Sequence, residues 1–187
     1  TLTLANDLTL STSLAPRWAV SGNYVVLVNS ASFPVTIDGN GTVRPLTPRA
    51  PRTGPVLSAG AAGTLSGTYG GVRYTNVIKD AVGNTIAESD FSPASNTVTI
   101  TSSQLKVTGV EVSPDVVSAR RIYRPTSNGA VLFPWVEIDG NTITQVSDDL
   151  SDAGLSIIPA PILGNPPHLT HVAEFRGRLF GASDINI

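Results

Sequence analysis

Arg120, Arg121 and Arg124 fall within five residues of one another, and Asp148, Asp149 and Asp152 follow downstream. Guanidinium forks bind carboxylates and phosphates, so such a pairing serves either anion recognition or the lacing together of a small β-domain. Interleaving with Ile122 and Tyr123 favours lacing: the arginine stems cover apolar surface, their heads stay wet, and the aspartates meet them across a sheet edge. The aspartates, with Asp139, offer oxygens to calcium, but the twelve-position loop with central glycine and final glutamate is missing, and Asx-bonded turns account for them. His168 and His171 form an HxxH pair after Pro166-Pro167, yet zinc asks for three or four ligands, the chain has no cysteine, and no HExxH occurs. The glycines of Gly60–Gly71 match neither a phosphate loop nor a dinucleotide turn, and no GxSxG elbow is present. The expectation is a chain with no catalytic, cofactor-binding or metal-ligating residues.

These groups must be held by elements that the composition restricts. The chain has 187 residues, 14% of them charged, and a formal net charge of −2, so nothing in its overall charge draws it to nucleic acid or an acidic membrane. No apolar run approaches the roughly 20 residues that span a bilayer, and TLTLANDLTLSTSL lacks the basic start of a signal peptide. Abundant Thr, Val, Ser, Gly and Pro with little Lys and Glu favour strands and turns over long helices.

Strand-like runs cover Asn23–Asn29, Phe33–Ile37 and Thr42–Leu46, the last two joined by the hairpin signal Asp38-Gly-Asn-Gly41. Residues 1–46 read as an N-terminal β-meander or arm and 47–60 as a proline-rich linker; Gly60–Gly71 reads as a flexible lead-in. Alternating runs at 72–78, 85–91, 96–101, 105–112, 119–123, 131–138 and 141–146 make a β-sandwich over 61–157, with Tyr74, Val107, Ile122, Leu132, Val136 and Ile138 in its core. Residues 158–187 read as a second linker and a C-terminal strand. Leu2, Leu4, Leu8 and Leu10 at one end, and Phe175, Arg176, Arg178 and Phe180 at the other, lie outside the sandwich on segments that need partners for their backbone groups, which makes them candidate assembly contacts.

The string Gly67-Thr-Tyr, Tyr74, Asp80-Ala-Val-Gly-Asn84, Glu88-Ser89 and Ser92-Pro-Ala-Ser95 continues with Arg121-Ile-Tyr-Arg124, Val136-Glu-Ile138, Asp148–Ala153, Pro166-Pro-His168 and Phe175–Ala182. It resembles the fibronectin type III-like module in structural proteins of tailed-bacteriophage tails, of the nozzle or tubular kind, although Gly70-Gly71 and Pro134 interrupt strands that usually run unbroken. The resemblance implies a fibronectin type III or immunoglobulin-like sandwich in a virion tail or neck protein. Its implied partners are a homo-oligomeric ring and other virion proteins, with no membrane, no cofactor, and DNA only as passing through a channel. The alternative is a carbohydrate- or surface-binding β-sandwich in which Trp18, Tyr123, Phe133 and Trp135 stack on sugars, although Trp135 inside an apolar strand suits the core better.

Overall fold

A computed structural model describes residues 2–3, 9–10, 14–164 and 168–183. The fold is all β, and the chain divides into two compact units, Thr1–Thr47 with Asn165–Ile187, and Pro48–Gly164.

The first unit holds the antiparallel meander β3 (Arg17–Ser21), β4 (Tyr24–Asn29), β5 (Ser32–Asp38) and β6 (Val43–Pro45), in that spatial order. Its register builds two cross-strand rows on one face, Trp18–Leu27–Val35–Pro45 and Val20–Val25–Ile37–Val43, all apolar. Period-two alternation sends Ala19, Val26 and Val28 to the other face, where they are buried. The short strands β1 (Leu2–Thr3) and β2 (Thr9–Leu10) pair with each other. The expected lone C-terminal strand is a hairpin, β14 (His171–Phe175) and β15 (Arg178–Ala182), turning at Arg176-Gly177, and β14 runs beside β3 and β4.

The second unit is a sandwich. One sheet has β7 (Val56–Tyr69), β10 (Val98–Thr108) and β13 (Val146–Asp148) in the order β13-β10-β7; the other has β8 (Arg73–Lys79), β9 (Thr85–Glu88), β11 (Ala119–Arg124) and β12 (Phe133–Asp139) in the order β12-β11-β8-β9. Leu57, Leu65, Ile100, Leu105 and Val107 of the first sheet pack against Tyr74, Ile122 and Ile138 of the second. Of the six expected core residues, Tyr74, Val107, Ile122 and Ile138 are buried; Leu132 and Val136 are half-buried, with Val136 packed on the core.

The expected lead-in at Gly60–Gly71 is strand β7 as far as Tyr69, with Gly70 and Gly71 just past its end. That strand carries three more residues than β10 opposite it, 14 against 11, and absorbs them as bulges between the Ile100, Ser103 and Leu105 pairings. A Cβ on Gly63 would sit 2.7 Å from the Gln104 backbone nitrogen, so glycine marks close strand contact there rather than flexibility. The expected linker 47–60 is likewise fixed to the sandwich. Prolines remove ladder donors from 48–55, and side chains substitute: the Tyr74 hydroxyl donates to Thr53 O at 3.0 Å, Asn76 Nδ2 to Arg49 O at 2.8 Å, and the Arg52 amide to Glu111 at 2.9 Å.

Past β9 the chain stays on the β8 edge through three serines. Ser89, Ser92 and Ser95 donate their amides to Asn76, Tyr74 and Val72 carbonyls at 2.9 Å each, and their hydroxyls accept from the amides of those same residues at 2.9, 3.1 and 3.0 Å. Every third residue of this segment therefore meets every second residue of β8, and the segment must kink at each step. The expected strands 96–101 and 105–112 merge into the single strand β10, which ends at Thr108 and leaves 109–112 outside it, and of the expected strand 141–146 only Val146 lies in a strand.

Candidate functional site

β11 decides the fate of the arginines. Ile122 faces the core, so alternation turns Arg120 and Arg124 inward at its two ends and sends Arg121 and Tyr123 outward. The expected wet guanidinium heads are thus wrong for Arg120 and Arg124, both fully buried.

At one end of the core, Arg124 ion-pairs through Nε with Asp148, reaches Asp152 at 2.8 Å through Nη1, donates to Leu150 O, and lies 5.6 Å from the centroid of the Tyr69 ring. Asp152 also accepts the Ser127 amide at 2.7 Å, closing the turn after β11. Burial pushes the Asp148 carboxyl above the usual aspartate value, against the pull of the Leu150 amide and Arg124. The acidic patch does meet an arginine, as expected, but inside the sandwich. Asp149 diverges to Thr64, accepting its amide at 2.7 Å, and Asp139 stands in solvent 3.7 Å from Lys79.

At the other end Arg120 donates to Asn141 Oδ1 at 2.7 Å and to Ile143 O, and burial holds it below its ordinary value. Asn141 in turn binds both the amide and the carbonyl of Ser113. Arg49 grips Asp115 through Nε and Nη2 at 3.0 and 2.7 Å. On the outer sheet face Arg121 bridges Glu88 and Glu137, each at 2.7 Å, and Tyr123 donates to Glu88 at 2.6 Å beneath an edge-on Phe91 ring. Burial pushes Tyr123 far up; it also opposes ionisation of Glu137, but hydrogen bonds from Lys79 and Arg121 hold that carboxyl low. All three arginines of β11 are occupied by partners within the sandwich, which leaves their forks unavailable to phosphate.

The histidines are separated by their partners: His168 meets the Phe33 ring edge-on at 4.8 Å, and His171 Nδ1 lies 3.0 Å from Thr170 Oγ1. No group of three or more His, Asp and Glu able to hold a metal occurs among the described residues.

The predicted assembly residues divide. Leu4 and Leu8 lie outside the described residues, and Leu2 pairs with Leu10 across β1 and β2. Phe175 and Phe180 share the exposed face of the C-terminal hairpin with Arg178; Arg176 occupies its turn at φ 54° with its guanidinium over Phe175. Among the described residues, Leu2–Thr3 pairs with Thr9–Leu10 and His171–Phe175 with Arg178–Ala182, so each of these strands has one strand partner within its own segment. Sequence reasoning named Trp18 only as a sugar-stacking ring of the alternative reading and missed its place beside Val20 at the β3 end of the meander, where Trp18 is 64% exposed and Val20 51%. The alternation of Trp18, Ala19 and Val20 beside Gly22-Asn23 was the available signal. No protein-family model, curated protein or solved structure matches the chain.

Proposed function

We propose that this chain is a structural protein of a tailed-bacteriophage virion, working in the tail or neck as part of a nozzle, tube or connector by subunit-to-subunit contact. The observation that carries the reading is the apolar surface of the first unit. Trp18, Val20, Phe175 and Phe180 are exposed on short hairpins, although large apolar groups left together in water usually mark association sites. The second unit supports it differently: its ion pairs and hydrogen bonds tie loops to the sandwich, as a rigid scaffold requires. The order β12-β11-β8-β9 facing β13-β10-β7 suits a fibronectin type III-like module. On this reading the partners are further copies in a ring and other virion proteins, and DNA would pass without contacting Arg120 or Arg124.

Electron microscopy and native mass spectrometry of the full chain test it. Closed rings or tubes of fixed copy number are expected; a monomer at every concentration overturns the reading. The carbohydrate-binding alternative retains Trp18 as an exposed ring, since Trp135 packs against the core, Phe133 is half-buried and Tyr123 is buried. A glycan array with specific binding lost in Trp18→Ala would favour it.

A further inference from the structure

We propose that Leu155–Gly164 is an apolar strap that docks on the Trp18–Val20 end of the meander face of a second copy, joining chains head to tail. The proposal rests on the assembly reading above and names its contact. Ile157 is 95% exposed, Ile158 70% and Ile162 103%, in a ten-residue stretch without a charged side chain. Connecting segments are ordinarily polar, because isoleucine in water forfeits its burial energy. The strap is also held in place: the Ala160 amide donates to Leu132 O at 2.8 Å, and the Ile158 amide to Ser156 Oγ at 3.1 Å.

Its backbone selects the kind of partner. Pro159 and Pro161 have no N–H, and the Ala160 donor between them is already taken, so the strap cannot add a strand to a sheet edge. What it offers is side chains, and the surface that accepts them must be an apolar face without charge. The two rows on β3–β6 form such a face, uncharged at all eight positions and open at Trp18 and Val20. Strap and face are different surfaces of one chain, so their contact either closes reciprocally about a two-fold axis or, where it is heterologous, propagates into the ring or tube of the assembly reading. The prolines limit the freedom that docking must remove.

Size sets the strength. Ten extended residues run about 30 Å and cover roughly 300 Å² per partner, about 600 Å² in all, against the ~1,200 Å² of a stable pair. A single contact is therefore weak, and association depends steeply on concentration until a ring closes and each copy makes two contacts.

The chain's lack of cysteine makes cross-linking a clean test. Full-length Ile162→Cys and Val20→Cys chains, distinguishable by mass, are mixed and mildly oxidised beside a control mixture of Ile162→Cys with Val82→Cys, whose site is 82% exposed. The Ile162–Val20 pair is expected to form the mixed disulfide about tenfold faster than the control or better, through the raised effective concentration of docked groups. Equal rates, no mixed product, or a double variant that closes only within a monomer would overturn the strap. Ile157→Asp with Ile162→Asp, at positions already in solvent, should leave folding intact and raise the dissociation constant about tenfold or more; an unchanged constant also overturns it. If the wild type assembles but the pair does not cross-link, the strap fails and the assembly reading stands. If the wild type never assembles, both fail.

Discussion

The sandwich at 48–164 spends charge inside and keeps much of its outer sheet face polar, whereas the meander and hairpin of the other unit keep charge outside and leave aromatic rings in water. Among the described residues, the ion pairs all fall within 48–164, and three of the charged groups in them, Asp115, Arg124 and Asp148, are buried. The meander has an uncharged eight-residue face and exposed Trp18. Burying a guanidinium costs several kcal/mol before its partners repay it, so a buried pair that gains little net stability still penalises every arrangement in which the partners are apart. In the sandwich this fixes loops to strand ends. An exposed apolar face makes the opposite bargain: it weakens the isolated unit and gains when something covers it.

The largest effect that can break this comparison is at Arg124. Replacing it with Ala strands Asp148, which is 1% exposed, and should cost about 3–5 kcal/mol in denaturant melts. Arg124→Met with Asp148→Leu should recover most of that loss, because burial already holds the Asp148 carboxyl above its ordinary value despite the pair. If the single substitution costs nothing, the buried charges do not fix the scaffold. Ile122→Ala, at the fully buried centre of the same strand, should cost about 2–5 kcal/mol by cavity formation, and less than half a kilocalorie would mean that β11 faces the other way.

In the meander the expectation reverses. Trp18→Ser should change the unfolding free energy by less than about 0.5 kcal/mol, as exposed substitutions do, while lowering the association seen by light scattering. A stability loss comparable with that at Ile122 would make Trp18 a core residue and erase the contrast. The smallest effect is electrostatic and common to both units. Asp38 is held below its ordinary value first by the Thr42 amide, and Asp80 first by the Asn84 side chain, each carboxylate closing a tight turn. A depressed folded value means that the stabilisation is present above the unfolded value and is lost as pH falls through the folded one. Carboxyl NMR titrations should place both midpoints below the usual aspartate range; midpoints at or above it would remove the Asx turns from the account.

Much of the strand content was legible because alternation and turn residues are local: Asp38-Gly-Asn-Gly41 joins β5 to β6, and the run at 119–123 is β11. Gly60–Gly71 was not, because Gly60 and Gly63 answer to Gln104 on a strand about forty residues away, Gly67 to Ser127 and Gly70 to Thr97. The serine spacing of three at 89, 92 and 95 was visible, but its meaning needs the two-residue period of β8 beside it. The inward arginines were half legible. Alternation ties Arg120 and Arg124 to the face of Ile122, and the acidic patch at 148–152 was expected to meet arginines, but at a wet sheet edge; no local pattern announces Asn141 and the carbonyls of Ile143 and Leu150 that also receive them. The grouping of Trp18 with Val20 was not read for a related reason, since two separate residues become a patch only once β4 is placed beside β3.

Hydrogen exchange on the full chain, compared between dilute protein and protein concentrated until it assembles, tests the central claim most directly. The account predicts new protection at 17–28, 155–164 and 171–182, with the amides of β8 and β11 unchanged. Protection that appears instead on the outer face around Arg121 and Glu137, or none at any concentration, would contradict it.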